Sequence, residues 1–345
     1  PAANEELPAL LYRRQPQSRL RANRAAVCRQ YAELAGVLGE AAAELSAELV
    51  PDPVREKRLR QHLTAQGIEC QLAAYYDQAG HLRIELEGAG LSPLRKPEAV
   101  DRLSKLMNFP LRPLDETRRD QLVLVQSEPL MAVAGAAAQK KDGQAVSGDT
   151  GAWFKHDDGS LYVLLCDGMG SGAPAQREST LAVRLLEQFL RAGVRPENAL
   201  RTLNSALALR NDEAAGGFTT IDLLRVDLFT GEAWVYKYGA APTYVKKGAA
   251  VSRITGAALP AGLTSGDGAA PDTTSLHLES GDCVLLVTDG VAGGEGDQWI
   301  RDKLAAFNGG SPRELAQAVL DTSTQQVGAA ADDRTVLALK LTKRA

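Results

Sequence analysis

Leu161 to Gly172 reads LYVLLCDGMGSG: six apolar residues, an aspartate, then three glycines in the five positions that follow. An Asp-Gly pair closing a strand is ordinary turn chemistry. Fixed rigidly at the end of a buried strand, beside a backbone stripped of side chains, the same carboxylate also suits a metal ion or a phosphate. Taken alone, the stretch leaves both readings open.

The pattern recurs. DCVLLVTDGV is a second apolar run ending in Asp-Gly, at Asp289; GAAADDRTVLALKL puts Asp332 and Asp333 at the start of a strand; VSGDTGAWF puts Asp149 at a loop–strand junction. Carboxylates near several strand ends can converge on one edge of a sheet sandwich, where their mutual repulsion raises their pKa values. Hard divalent cations relieve that repulsion, because Mg²⁺ and Mn²⁺ prefer oxygen ligands. Two such ions activate a bridging water for in-line displacement at phosphorus. Gly168 is expected to turn its carbonyl toward a metal, since no side chain restricts its φ. No GxSxG elbow is present, and none of the four histidines lies in a motif. Metal-activated water is the chemistry that remains.

Composition sets the class. With 44% hydrophobic and 24% charged residues, the 345-residue chain has globular proportions and room for two domains. A net charge of −4 gives no general pull toward nucleic acid or anionic membrane. The four cysteines form no CxxC pair, so neither a zinc site nor a disulfide framework is indicated. No apolar segment approaches membrane-spanning length. The chain opens on Pro1 rather than methionine. It is therefore expected to be a soluble fragment, with any membrane anchor carried upstream.

Texture divides the chain near residue 118. Residues 1–118 read as a small α+β domain. Apolar residues at Leu20, Val27, Tyr31, Leu34, Leu38 and Leu45 keep a helical period over 19–49. A second helix runs from VPDPV to AQG, and a third lies in SPLRKPEAVDRLSKLMN with Ser92 as cap. Between them a hairpin pairs Ile68–Tyr76 with His81–Glu87. The long first helix could support a homodimer. The basic residues of the N-terminal region, Arg13, Arg14, Arg19, Arg21 and Arg24, could bind an acidic partner but read more simply as a solvated helix face. Residues 119–345 are strand-rich, with helices expected at 174–192, 196–210 and 311–326 and no steady strand–helix alternation. An α+β sandwich of two sheets flanked by helices fits this better than a doubly wound sheet.

VSGDT, CDGMGSGAPAQREST, the run from GGFTTIDLL to GAAPTYVKK, LPAGL, SGDCVLLVTDGV and ADDRTVLAL together resemble the PP2C-type (PPM) metal-dependent protein phosphatases. Within them the chain is similar to the stage II sporulation protein E family, over essentially its whole length. The resemblance implies a PP2C-like β-sandwich over 119–345, preceded by a regulatory α+β domain over 1–118. It implies a two-metal centre, Mn²⁺ or Mg²⁺. Asp167 would bridge the metals, the Gly168 carbonyl would bind one, Asp289 and Asp332 would complete the other, and Asp149 would match the first acidic motif. It further implies a protein serine phosphatase acting on a phosphoserine STAS-type anti-anti-sigma factor, so that a sporulation sigma factor is freed. The whole protein would then sit at the cytoplasmic face of a membrane. Many relatives hold the substrate phosphate with an arginine, but AQKKDGQAVSGDT contains none; Lys140 or Lys141 could stand in. The contrasting reading is an inactive PP2C-fold scaffold acting through self-association, against which the intact aspartates argue.

Overall fold

The computed structural model describes residues 49–344 apart from 78, 115–117, 212–216, 264–269, 293–295 and 328–330, and before residue 49 only Cys28, Ala32, Ala35, Gly36 and Gly39. The long helix expected over 19–49, the basic run from Arg13 to Arg24 and the homodimer read from them lie almost wholly outside the described residues, as does part of the glycine-rich segment after Asp289. No helix among the described residues is long and apolar enough to cross a membrane.

Contacts divide the chain into two compact units, one of them Ala43–Met131 with Lys155–Ser160 and Lys343–Ala345. Its sheet contains β1 (Val50–Pro51), β2 (Gln71–Tyr76), β3 (Leu82–Glu87), β4 (Leu111–Pro113) and β5 (Gln121–Gln126), in the order β1-β2-β3-β5-β4. The expected hairpin is present, with Gln71 opposite Glu87 and Tyr76 opposite Leu82. Strand β5, placed by texture in the second domain, pairs with β3 from Arg83↔Val125 to Glu87↔Gln121. The unit therefore runs to Met131 rather than to 118. An apolar strand looks the same in sequence whichever sheet it joins.

Helix α1 (Pro53–Ala65) starts where Asp52 accepts from the Arg55 amide and Pro53 fixes the first turn. The third expected helix is broken in two. Ser92–Arg95 is a 3₁₀ turn without a side-chain cap, and α2 (Pro97–Met107) begins only after Lys96 goes extended. Pro97 imposes the break, since a residue before proline is driven out of the helical region. Leu59 and Leu63 of α1 and Val100, Leu103 and Met107 of α2 pack on Leu82, Ile84, Leu86, Leu122 and Leu124.

The other unit comprises Ala132–Phe154 and Leu161–Thr342, besides upstream residues. One sheet contains β7 (Asp149–Lys155), β8 (Ser160–Asp167), β9 (Ile221–Asp227), β10 (Glu232–Tyr238) and β13 (Asp272–His277), ordered β13-β10-β9-β8-β7. A second contains β6 (Leu130–Gln139), β11 (Thr243–Lys247), β12 (Ala250–Ile254), β14 (Cys283–Val287) and β15 (Arg334–Lys343), ordered β12-β11-β14-β15-β6. Helices α3 (Gly172–Arg191) and α4 (Pro196–Asn211) cover the outer face of the first sheet. There Ala182, Leu186, Leu190, Leu200 and Leu203 meet Tyr162, Leu164, Cys166 and Tyr236. After the short α5 (Asp289–Ala292), α6 (Gln298–Ala306) and α7 (Pro312–Val327) cover the second, with Ile300, Leu304 and Val319 against Leu285, Val287 and Ala338. The alternate residues Val163, Leu165, Val284, Leu286, Leu337 and Leu339 point the other way and are also buried. A methyl group on Gly151 of β7 would stand 3.1 Å from Leu337 of β15, so the inner faces touch. Two covered faces explain why β8 and β14 read as unbroken apolar runs although the neighbouring pairs are antiparallel. This is the expected helix-flanked sandwich.

Candidate metal centre at the strand ends

Asp167 is the last residue of β8, and its main chain is clamped. Its amide donates to Thr220 Oγ1 at 3.1 Å. Its carbonyl accepts from Thr219 Oγ1 at 2.6 Å and from the Thr220 amide at 2.9 Å. The two threonines entering β9 thus fix where the carboxylate stands. Thr219 also bridges Gly168 and Ala261.

Gly168 is a glycine for lack of space. A Cβ there would lie 2.0 Å from the Ala175 carbonyl oxygen, in the first turn of α3. Its φ is not in the left-handed region; Gly170 and Gly172 are the residues of this loop that use it, with φ of +88° and +69°. The conformational freedom expected of Gly168 is thus not what the site requires of it. The requirement is a helix resting directly on the main chain.

Asp149 opens β7. Its Oδ2 accepts from Thr288 Oγ1 at 3.0 Å, and its Oδ1 is buried without a hydrogen-bond partner. Thr288 Oγ1 in turn accepts from the Thr335 amide at 2.9 Å, which joins the end of β14 to the start of β15. Asp289 follows at once. A Cβ on Gly290 would lie 2.0 Å from the Asp333 carbonyl oxygen, so this turn is pressed onto the start of β15, beside Asp332. Asp333 is only 3% exposed; it accepts from the Lys141 and Gly148 amides, both at 2.8 Å. It ties down the loop that carries Lys141 and leads to Asp149. Asp332 Oδ1 accepts from the Asp333 amide at 2.9 Å.

The electrostatics follow from this crowding. Burial, then the charges of Asp149, Asp289 and Asp332, push the Asp167 carboxyl up to about 8. Burial is also the largest cause that lifts Asp149 to about 6. Partial burial, then Asp332, raises Asp289. Asp149, Asp167, Asp289 and Asp332 are thus close enough to repel one another. Among the described residues no three acidic, histidine or cysteine side chains close around a single point. The donor set is open, and an ion here would complete its shell with main-chain oxygen and water, as Mg²⁺ commonly does. The unpartnered Asp149 Oδ1, the Gly168 main chain and the repelling carboxylates fit a hard divalent cation. Lys141 is held beside the cluster through its main-chain amide, which donates to Asp333 Oδ1.

Raised carboxyls bind protons more tightly in the folded chain than in the unfolded one. Their stabilising contribution is complete below the ordinary carboxylate pKa and is lost as pH rises through about 6 and about 8. The melting temperature in chelator is therefore expected to fall between pH 5 and pH 9, and to fall less with Mn²⁺ present. A flat or rising profile contradicts this. The two adjacent aspartates separate likewise. Asp333→Ala strips acceptors from two backbone amides and is expected to cost about 1.5–3 kcal/mol in urea unfolding. Asp332→Asn is expected to leave stability within about 0.5 kcal/mol while weakening Mn²⁺ binding. Equal destabilisation by both would overturn the distinction.

Thr219, Thr220 and Thr288 do not stand out from the sequence, because threonine before or after a strand is commonplace. Only the fold reveals that they hold the aspartates in place.

The family model for stage II sporulation protein E matches residues 157–342. The stage II sporulation protein E of Priestia megaterium is 31% identical over 60% of this chain and 36% of its own length. That of Bacillus subtilis (strain 168) is 26% identical over 92% of this chain and 40% of its own. The chain thus spans about two fifths of these curated relatives. The solved structure of the PP2C phosphatase domain and a regulatory-domain fragment of the Bacillus subtilis protein aligns with a TM-score of 0.68 at 23% identity, covering 95% of this chain and 99% of that one. With more than half of its residues matched by the family model, and with the PP2C sandwich carrying the strand-end aspartates, this chain belongs to the stage II sporulation protein E family and contains a PP2C-type phosphatase domain.

Proposed function

We propose that the chain is a Mn²⁺- or Mg²⁺-dependent protein serine phosphatase, and that its substrate is a phosphoserine on a STAS-type anti-anti-sigma factor whose dephosphorylation frees a sporulation sigma factor. The observation that carries this reading is the convergence of Asp149, Asp167, Asp289 and Asp332, with Asp167 held well above the ordinary carboxylate range by its neighbours. Asp149, Asp167, Asp289 and Asp332 would hold the two ions, with Asp167 shared between them and the Gly168 carbonyl as a main-chain ligand. Bound there, the ions would supply a water acidic enough to lose its proton near neutral pH and attack phosphorus as hydroxide, together with charge to stabilise the displaced oxygens.

The chain's own residues orient that chemistry. Thr219 and Thr220 fix Asp167, Thr288 fixes Asp149, and Asp333 keeps the 141–148 loop against the cluster. Burial of both thiols at Cys166 and Cys283 pushes their pKa values up, which leaves them as core residues rather than nucleophiles. Lys141 is the candidate phosphate contact. The N-terminal α+β unit would regulate the phosphatase unit, and a membrane anchor would belong to the rest of the whole protein.

The test compares phosphate release from a phosphorylated STAS-domain protein with release from an unfolded peptide carrying the same phosphoserine. Faster release from the folded protein supports a protein substrate recognised beyond its phosphoserine. Equal rates would overturn the STAS assignment. No release from either with Mn²⁺ or Mg²⁺ would favour the scaffold reading.

A further inference from the structure

Beneath the strand-end aspartates lies an ion pair with almost no surface. Asp222 of β9 and Lys237 of β10 face each other across the ladder, each side chain 1% exposed. Lys237 Nζ donates to Asp222 Oδ2 at 2.8 Å and to the Ala241 carbonyl at 2.6 Å. The same Oδ2 accepts from Thr243 Oγ1 at 2.5 Å. Both hydrogen bonds that Asp222 accepts fall on one carboxylate oxygen. The other, Asp222 Oδ1, is buried and accepts nothing from the protein.

That arrangement is costly twice over. A buried ion pair is often no more stable than apolar residues of the same volume. A buried acceptor left without a donor costs about 1–3 kcal/mol. The orphaned oxygen belongs to a residue lining a cavity of about 20 Å³, whose walls also include Asp167, Thr220, Gly239, Thr288 and Asp289. About 10–15 Å³ of such space suffices for one water, provided two to four polar partners surround it. The lining residues carry groups of this kind. Asp222 Oδ1 and the Asp167 carboxylate are acceptors, and Thr220 Oγ1, which takes the Asp167 amide proton, has a proton of its own to give. Lys237, meanwhile, holds the Ala241 carbonyl of the Gly239–Pro242 turn, another wall of the same space.

We infer that one buried water donates to Asp222 Oδ1 and joins the Asp222–Lys237 pair to the Asp167–Asp289 side of the centre, which makes Asp222 a positioning residue for the carboxylates that would hold the metal ions. The inference rests on the metal-centre reading of those carboxylates. It gives the buried pair a task that apolar replacements could not perform: the pair anchors a hydrogen-bonded floor under Asp167 from two adjacent strands.

The test is the double variant Asp222→Asn/Lys237→Met. It removes both buried charges together; the asparagine oxygen can still accept from Thr243, and its amide turns a donor, not an acceptor, toward the cavity. Two quantities are measured: the melting temperature in chelator, and Mn²⁺ affinity by calorimetry. Expected are a melting temperature close to that of wild type and Mn²⁺ binding weakened about tenfold, the low end for loss of an outer-shell partner. Wild-type Mn²⁺ affinity in the folded double variant would overturn the inference, since a purely structural pair would be fully replaced. A crystal structure of the Mn²⁺-loaded wild-type protein decides the matter even if the variant does not fold. A water within about 3.2 Å of Asp222 Oδ1 supports the inference, and a dry cavity overturns it. Wild-type protein that takes up no Mn²⁺ would instead overturn the metal-centre reading, and this inference with it.

Discussion

Asp167→Asn is expected to lower Mn²⁺-dependent phosphate release by about 10³-fold and, in metal-free protein, to raise the melting temperature. The two effects have one cause. Asparagine keeps the shape of the side chain and leaves intact the main-chain clamp by Thr219 and Thr220. What it removes is a negative charge that is buried and faces Asp149, Asp289 and Asp332. With metal, that charge would hold ions worth several kcal/mol to the reaction, and at about 1.4 kcal/mol per tenfold the expected loss is large. Without metal, the acid is a liability: a carboxyl pushed up to about 8 must take up a proton on folding at neutral pH, and asparagine needs none. Relief of about 1 kcal/mol corresponds to a rise of about 2–4 °C. Phosphate release and a melt in chelator measure the two halves. A variant that loses activity while melting well below wild type would assign Asp167 to the scaffold instead.

The second large effect belongs to Gly168→Ala. The added Cβ would lie 2.0 Å from the Ala175 carbonyl oxygen and 2.6 Å from its carbonyl carbon. These are backbone atoms in the first turn of a twenty-residue helix, so no side chain can swing aside. Either α3 or the Gly168 main chain must move. Overpacking of this kind costs about 1–3 kcal/mol, and the displaced atoms are those beside Asp167. Activity is expected to fall at least about 100-fold, from misplacement of about an ångström at the reacting groups. Gly170→Ala is the control. It pays about 1–2 kcal/mol for the left-handed conformation, but its Cβ meets nothing within 4 Å, so activity is expected to survive. Equal activity losses in both variants would show that the loop's flexibility matters, rather than the close approach of α3.

The architecture was legible where composition forces structure. Strands β8 and β14 are buried on both faces, so each reads as an apolar run, and the aspartate that ends each run marks the sheet edge. The hairpin of β2 and β3 shows through its alternation, because only one face of it is covered. The bound of the first unit was not legible at β5, whose QLVLVQ fits either sheet and is assigned only by pairing with β3. Nor was the break before α2, although Pro97 signals it. At the site, the aspartates stood out as polar residues interrupting apolar strands. Their supports did not. Thr288 holds Asp149 from 139 positions away in the chain, and Asp333 holds the amides of Lys141 and Gly148, contacts that no local pattern encodes. Gly168 was recognised for the wrong property. Asp222 and Lys237 did not stand out either, since β9 also carries Arg225 and Asp227 and β10 also carries Glu232, and their pairing depends on a register that the sequence alone does not set.

The central claim is tested most directly by stripping the protein of metal with chelator and following phosphate release from a phosphoserine STAS-domain protein as Mn²⁺ is restored. The expected result is no release before addition and restoration by Mn²⁺ in wild type, with none restored in Asp167→Asn. Release that proceeds undiminished in chelator, or that Mn²⁺ restores equally in Asp167→Asn, would contradict a catalytic metal centre at the strand-end aspartates.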